Sequence, residues 1–250
     1  MTAGDPLRLL RVTVLLPTRR AVRSLREAFL RGSLEGGEAG APLLLPRMWP
    51  IGALDSDELL LVEGAVSTED LAVPPAIPEL RRRLLLTRLV LSWGEQRGEK
   101  PIASGQAAAL AASLARLLDT VSTEGASFAR IDDLVPENLA EHWQIVQRFL
   151  KILPQHWPRI LAEEGALDAA ERRNRLLERQ AEIWRRSRPR DPVIAAGLVG
   201  GIPALIELIS VVAMLDQGAV ILPGLDRACP DDEWQAIEHD EAHPQYLMAE

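Results

Sequence analysis

Apolar positions along this chain switch between two periods. In RVTVLLPTRR, Val12, Val14 and Leu16 alternate with Thr13 and Leu15 in a β-branched, apolar run that Pro17 stops. That pattern predicts a buried strand of about six residues. Through TRRAVRSLREAFLRG the spacing becomes helical: Val22, Leu25, Ala28 and Phe29 recur three and four apart, with Thr18 placed to cap the start and Gly32 to end the helix. The joint between strand and helix is so short that the helix N-terminus must sit at the strand's C-terminal edge, where exposed backbone N–H groups favour anions. After the glycine-rich EGGEAGAP, LLLP at 43–46 predicts a second short buried strand, followed by an irregular stretch with Trp49, Pro50 and Gly52.

From Ile77 to about Arg188 the texture is helical. PELRRRLLLTRLVLSWGEQ, SGQAAALAASLARLLDTVS, ENLAEHWQIVQRFLKILPQHWPRILAEEG and LDAAERRNRLLERQAEIWRRS each repeat apolar residues at three- and four-residue spacing. Ser104 with Gln106 marks one helix start. Asp168 with Glu171 marks another, at capping-box spacing. Pro154 and Pro158 are expected to kink or split the third of these helices. Strand texture returns in PVIAAG at 192–197, a helix begins near Pro203, and GAVILPG at 218–224 supplies another strand. Strand, helix and strand with short joints form a βαβ unit with parallel strands. The expected organisation is an α/β domain in two pieces, 1–75 and 190–250, interrupted by a helical subdomain over 76–189.

Composition narrows the class. The chain has 250 residues, of which 47% are hydrophobic and 26% charged, enough for a real core and unlike a disordered or collagen-like sequence. No apolar run reaches the 18 or so residues that span a bilayer, the N-terminus lacks a signal peptide's apolar stretch, and the single Cys229 excludes an internal disulfide. A cytoplasmic protein without membrane partners is expected. The net charge of −8 hides its distribution. Residues 216–250 hold nine carboxylates against Arg227 alone, so everything before them is balanced. Within that balance lie two basic islands: residues 8–31 carry seven Arg and one Glu, and residues 171–190 carry eight Arg and three Glu.

Several chemistries fail on residue type. A phosphate-binding loop of the P-loop kind needs a glycine before its lysine and a hydroxyl after it, and neither Lys100 in GEKPI nor Lys151 in FLKIL meets this. The strand at 192–196 runs into Gly197, Leu198 and Val199 without the carboxylate that would hold Mg²⁺. His239-Asp240-Glu241-Ala242-His243 resembles a zinc-protease helix, but the acid after the first histidine is Asp240, and Pro244 disfavours helix at the second ligand. Cys229 lies among acids in DRACPDDE, which raise a thiol's pKa. Gly197, Gly200 and Gly201 end a strand before a helix, as a phosphate loop or as an ordinary tight turn. No catalytic residue, metal or cofactor is expected in this chain. The arginines of the first helix read either as a solvated face or as a phosphate contact beside the strand edge. The 171–190 helix is expected to bury Leu176, Leu177, Ile183 and Trp184 and to solvate its arginines. Trp93, Trp143, Trp157 and Trp184 fall at apolar helical positions and read as core.

VTVLLPTRRAVRSLREAFL, LLLPRMWPIG with the acidic DSDELL, and GGIPALIELISVVAMLDQGAVILPGLD with HPQY near the end together resemble one family, in order and over essentially the whole chain. The chain resembles the N-terminal, helicase-like region of AddB, the subunit that joins AddA in the bacterial AddAB helicase-nuclease of double-strand break repair and homologous recombination, in its alphaproteobacterial form. The resemblance implies a RecA-like, superfamily 1 helicase-like parallel sheet interrupted by a helical subdomain. It places LLPTRRAVRSLREAF at helicase motif Ia, and so implies that Thr18, Arg19, Arg20 and Arg23 contact the backbone of single-stranded DNA. It implies AddA as the protein partner. Members of the family run to about a thousand residues and end in a nuclease domain with an iron-sulfur cluster held by four cysteines. This chain has one cysteine and starts at the motif Ia strand, so it is expected to be the front portion of something longer, non-catalytic by itself. A helical protein-interaction scaffold without a nucleic-acid role is the alternative reading of the same residues.

Overall fold

The structure is a computed structural model, and it describes residues 6–35, 44–51, 73–96, 101–128, 146, 148–199, 201–224, 226, 228–240, 243, 245 and 246. The acidic 55–60 stretch, Trp143, Gly200 and the first part of the third predicted helix lie outside those residues. The chain divides into two compact units, Met1–Ala72 with Leu176–Glu250, and Val73–Arg175. The second junction was expected near residue 190. It falls instead inside a helix, Ala169–Arg186, whose leading residues pack in one unit and whose remainder packs in the other.

In the first unit a 3₁₀ turn, Pro6–Arg11, leads into β1, Thr13–Leu16. Helix α1, Arg19–Glu35, follows, then β2, Arg47–Pro50. The second strand is thus later than the predicted 43–46 and takes in Trp49 and Pro50. β1 itself begins only at Thr13, after the 3₁₀ turn, and the parallel register sets Arg47 beside it. Pairing begins there, where the Arg47 N–H donates to the Val12 carbonyl at 2.9 Å. Gly32 does not end α1 either: it keeps a helical backbone without positive φ.

β3, Val193–Ala196, and β4, Gly218–Ile221, complete a four-stranded, all-parallel sheet in the order β2-β1-β3-β4. This α/β architecture, with the βαβ unit at its C-terminal side, is what the two periods predicted. β1 is buried along its whole length. Its alternate side chains serve two cores, because successive residues of a strand point to opposite faces. Val14 and Leu16 join Met48, Val22, Leu25 and Phe29 beneath α1. Leu15 joins Leu177, Ala181 and Trp184 of the long helix and Leu205, Leu208 and Val212 of the helix Pro203–Ala213. Both faces of the parallel sheet are therefore covered.

The second unit is helical: α2, Glu79–Gln96, α3, Ser104–Thr123, and α4, Ile152–Glu164. The helix Ala169–Arg186 is α5, Pro203–Ala213 is α6, and a last helix in the first unit, Asp231–Ile237, is α7. The split expected at Pro154 occurs at Lys151, a turn between helical residues 148–150 and α4. A proline ring collides with the carbonyl four residues back, here Leu150, so the helix restarts and Pro154 falls in its first turn, where a missing N–H costs nothing. Pro158 stays inside α4.

One guanidinium ties this unit together. Arg82 of α2 is 3% exposed, its Nε lies 2.7 Å from Asp168 Oδ1, and its terminal nitrogens reach Asp119 Oδ1 at 2.8 Å and the Ala115 carbonyl at 3.2 Å on α3. Trp157 of α4 donates from Nε1 to the other Asp168 oxygen at 2.7 Å. The capping box read from Asp168 and Glu171 is not what the side chains do: the Asp168 carboxylate is committed to Arg82 and Trp157, and Glu171 accepts from Arg175 at 2.8 Å. Burial pushes the Asp168 carboxyl above its ordinary range, and Arg82 and Trp157 pull it only part of the way back. Burial also works against the Arg82 charge, but Asp119, Asp168 and Glu79 more than offset it and raise its pKa.

Two stability measurements check this account. Asp168→Ala leaves a buried guanidinium and an indole N–H without their shared acceptor, a change expected to cost about 3 kcal/mol in urea unfolding, the low end for a broken buried pair because Asp119 remains. A Cβ at residue 218 would overlap the backbone carbonyl oxygen of Val212. Gly218→Ala should therefore lower stability by about 1–3 kcal/mol in the same assay.

Candidate nucleic-acid interface

The chain leaves β1 toward β2 on one side and leaves β3 toward β4 on the other, so the strand order reverses between β1 and β3. In open parallel sheets ligands bind at that reversal, outside the C-terminal ends of the strands. Pro17 and Thr18 follow β1 there, and Gly197 follows β3. The two turns lie side by side: Gly197 has φ +70, and a Cβ on it would stand 3.7 Å from the Pro17 ring.

Thr18 starts α1 as the spacing predicted. Its Oγ1 accepts a hydrogen bond from the Ala21 N–H at 3.1 Å, and its carbonyl accepts from Val22 at 3.1 Å. One of the four orphan donors of the first turn is satisfied this way. Val22, Leu25 and Phe29 turn toward the sheet. That orientation leaves Arg19, Arg20, Arg23, Arg26 and Arg31 exposed. The structure thus brings the four named residues, Thr18, Arg19, Arg20 and Arg23, onto the first turn and a half of one helix at the C-terminal edge of the sheet.

The two basic islands part company on pairing. In and around the 171–190 island, Arg175 pairs with Glu171 at 2.8 Å, Arg179 with Glu182 at 2.8 Å, Arg185 with Glu207 at 2.6 Å and Arg188 with Asp216 at 3.1 Å. Arg173 donates to Thr123 at 3.1 Å, and the Arg172 Nε donates to the Pro74 carbonyl at 2.9 Å. Most of these arginines are exposed, as expected, but many of them are also paired; Arg172 is buried. Among the described residues, Arg20, Arg23 and Arg26 of α1 enter no ion pair. Their charge is available to an outside anion, a distinction no composition count reveals.

The other sites thought possible from sequence look different in three dimensions. β3 ends at Ala196, and Leu198, two residues on, is 2% exposed in the core. α7 ends at Ile237, so His239 and His243 do not share a helix in the described residues, and the His239 Nδ1 lies 2.8 Å from the Gln235 carbonyl. The His243 Nδ1 accepts from the Gln245 N–H at 3.2 Å. No cluster of three or more His, Cys, Asp or Glu able to hold a metal occurs among the described residues. Desolvation and the neighbouring Glu233, Asp226 and Asp232 push the Cys229 thiol up. Trp157 and Trp184 are core residues, 2% and 1% exposed, and Trp93 stacks edge-on against Phe149 with ring centroids 4.8 Å apart. Among the described residues no helix is long and apolar enough to cross a membrane.

No family model, curated protein or solved structure matches the chain.

Stability separates the cap from the arginines. Thr18→Ala should cost about 1 kcal/mol by removing the cap. Arg20→Ala and Arg23→Ala should each shift the unfolding free energy by less than about 0.5 kcal/mol, since both are exposed and enter no ion pair among the described residues.

Proposed function

We propose that this chain is the AddB-like, RecA-like portion of a double-strand break repair subunit and that it contacts the backbone of single-stranded DNA through Thr18, Arg19, Arg20 and Arg23 without catalysing a reaction. The observation that carries the reading is the set of exposed arginines on α1, unneutralised at Arg20 and Arg23, at the strand-order reversal of a parallel sheet. Phosphate is the ligand that such a place suits: a helix N-terminus contributes partial positive charge, and an arginine fork contributes paired donors. The four parallel strands with helices on both faces are compatible with a RecA-like domain, and the helical unit between its two pieces supports the comparison with superfamily 1 helicases. In this reading AddA is the protein that completes the assembly. The missing lysine and carboxylates of a nucleotide site support a role in positioning a strand rather than in driving it.

The test is anisotropy titration of a labelled oligothymidylate at several salt concentrations. Binding should weaken with salt, and Arg19→Ala with Arg20→Ala should lower affinity about tenfold or more at low salt. Each lost phosphate contact should reduce the slope of log K against log salt by about 0.7. Absence of binding even at low salt, or a double variant that binds like the parent, overturns the DNA contact.

A further inference from the structure

Helix α1 carries its arginines in two rows, and only one row suits a chain of phosphates along its length. At about 100° of rotation per residue, Arg19, Arg23, Arg26 and Leu30 fall within about 60° of one another. A second row, Arg20, Ser24, Glu27 and Arg31, lies roughly a quarter turn further round. It points away from Val22, Leu25 and Phe29, which face the sheet.

The rows differ in charge. Arg23 and Arg26 are exposed and enter no ion pair among the described residues, and the same holds for Arg31 and Glu27. The first row contains no acid. In the second, Glu27 stands between Arg20 and Arg31, so a phosphate passing along that row meets a like charge. At the open end of the helix the difference has no effect, because a ligand seated there lies beside the first turn, which holds Arg19 and Arg20 together. Beyond that turn it decides the direction. Successive arginines of the first row rise by about 6 Å and then about 4.5 Å along the axis, steps that an extended chain of phosphates can follow. Leu30, 52% exposed, ends the charge.

We infer that the single strand of DNA runs along α1 from its N-terminus over Arg19, Arg23 and Arg26, so that Arg26 is a further phosphate contact and Arg31 is not. This inference rests on the proposed DNA contact and gives it a direction and an extent. Arg26 and Arg31 are alike in type, in exposure and in their place within the basic island, so a count of charge cannot tell them apart. Only their positions around the helix do.

The experiment titrates a labelled oligothymidylate with the full chain and with its Arg26→Ala, Arg26→Lys and Arg31→Ala variants, at several salt concentrations around 0.1 M, where a charge is felt over about 10 Å. Arg26→Ala should lower affinity about fivefold and reduce the slope of log K against log salt by about 0.7, whereas Arg31→Ala should change affinity by less than about twofold and leave the slope as it is. Arg26→Lys should keep the parent slope, since it keeps the charge. Unfolding midpoints of the three variants should match the parent, because both side chains are exposed, and this separates loss of contact from loss of fold. Equal losses in Arg26→Ala and Arg31→Ala would reveal a diffuse field in place of a track and overturn the inference. So would an Arg26→Ala chain that binds like the parent while Arg19→Ala with Arg20→Ala loses affinity, since the contact then ends in the first turn. A parent that binds no strand at all overturns the DNA reading itself, and the track with it.

Discussion

β1 is buried on both sides, and most of the first unit follows from that constraint. Residues Thr13–Leu16 have no solvent face, so their backbone groups must pair with strands on both flanks and their side chains must be covered above and below. α1 covers Val14 and Leu16, and α5 with α6 covers Leu15. Helices on opposite faces require the chain to leave the sheet in opposite directions from β1 and from β3. The reversal between them sets the turns of Pro17 and Gly197 side by side and delivers the start of α1 to that edge. The proposed DNA contact is a consequence of how a central parallel strand is buried.

The helical unit solves a different problem. Its helices have no sheet to lie on, and Arg82 joins α2 to α3 and to the start of α5, which Trp157 joins to α4. Buried charge of this kind is costly unless every partner is in place, so removing one partner of Arg82 is expected to destabilise the unit. Nearby, the Leu167 N–H donates to the Pro75 carbonyl and the Ile77 N–H to the Leu167 carbonyl, each at 2.9 Å, and the Arg172 Nε donates to the Pro74 carbonyl at 2.9 Å, holding the entry of the chain against the helix by which it leaves. An inserted unit must begin and end close together if it interrupts another domain without disturbing it.

Arginine does three separate jobs in one chain. Arg82 is a buried structural tie, Arg175, Arg185 and Arg188 are balanced by surface carboxylates, and Arg20 and Arg23 enter no ion pair among the described residues. The arginines of α1 stand at the strand-order reversal of the sheet. Net charge conceals this, because the carboxylates of the acidic C-terminal stretch offset in the sum arginines such as Arg175 and Arg185, whose ion-pair partners, Glu171 and Glu207, lie elsewhere in the chain.

The sequence by itself determined what short-range chemistry controls. Alternating and helical periods marked β1, β3, β4 and the helices up to α6, though not α7, and Thr18, next to Pro17, declared the start of α1. Failures came where a neighbour far along the chain decides. The second strand begins at Arg47 because that is the residue the parallel register sets beside Thr13, where β1 starts, and Asp168 left its capping box because Arg82, most of a hundred residues earlier, offered a buried charge. Of the candidate site, position and residue type were legible, since both follow from the strand, turn and helix they belong to. Which arginines remain unpaired was not: Arg81 meets Glu164 across 83 positions and Arg185 meets Glu207 across 22. An arginine's charge is spent or free according to what folding brings within about 4 Å of it, and only the tertiary structure supplies that neighbour.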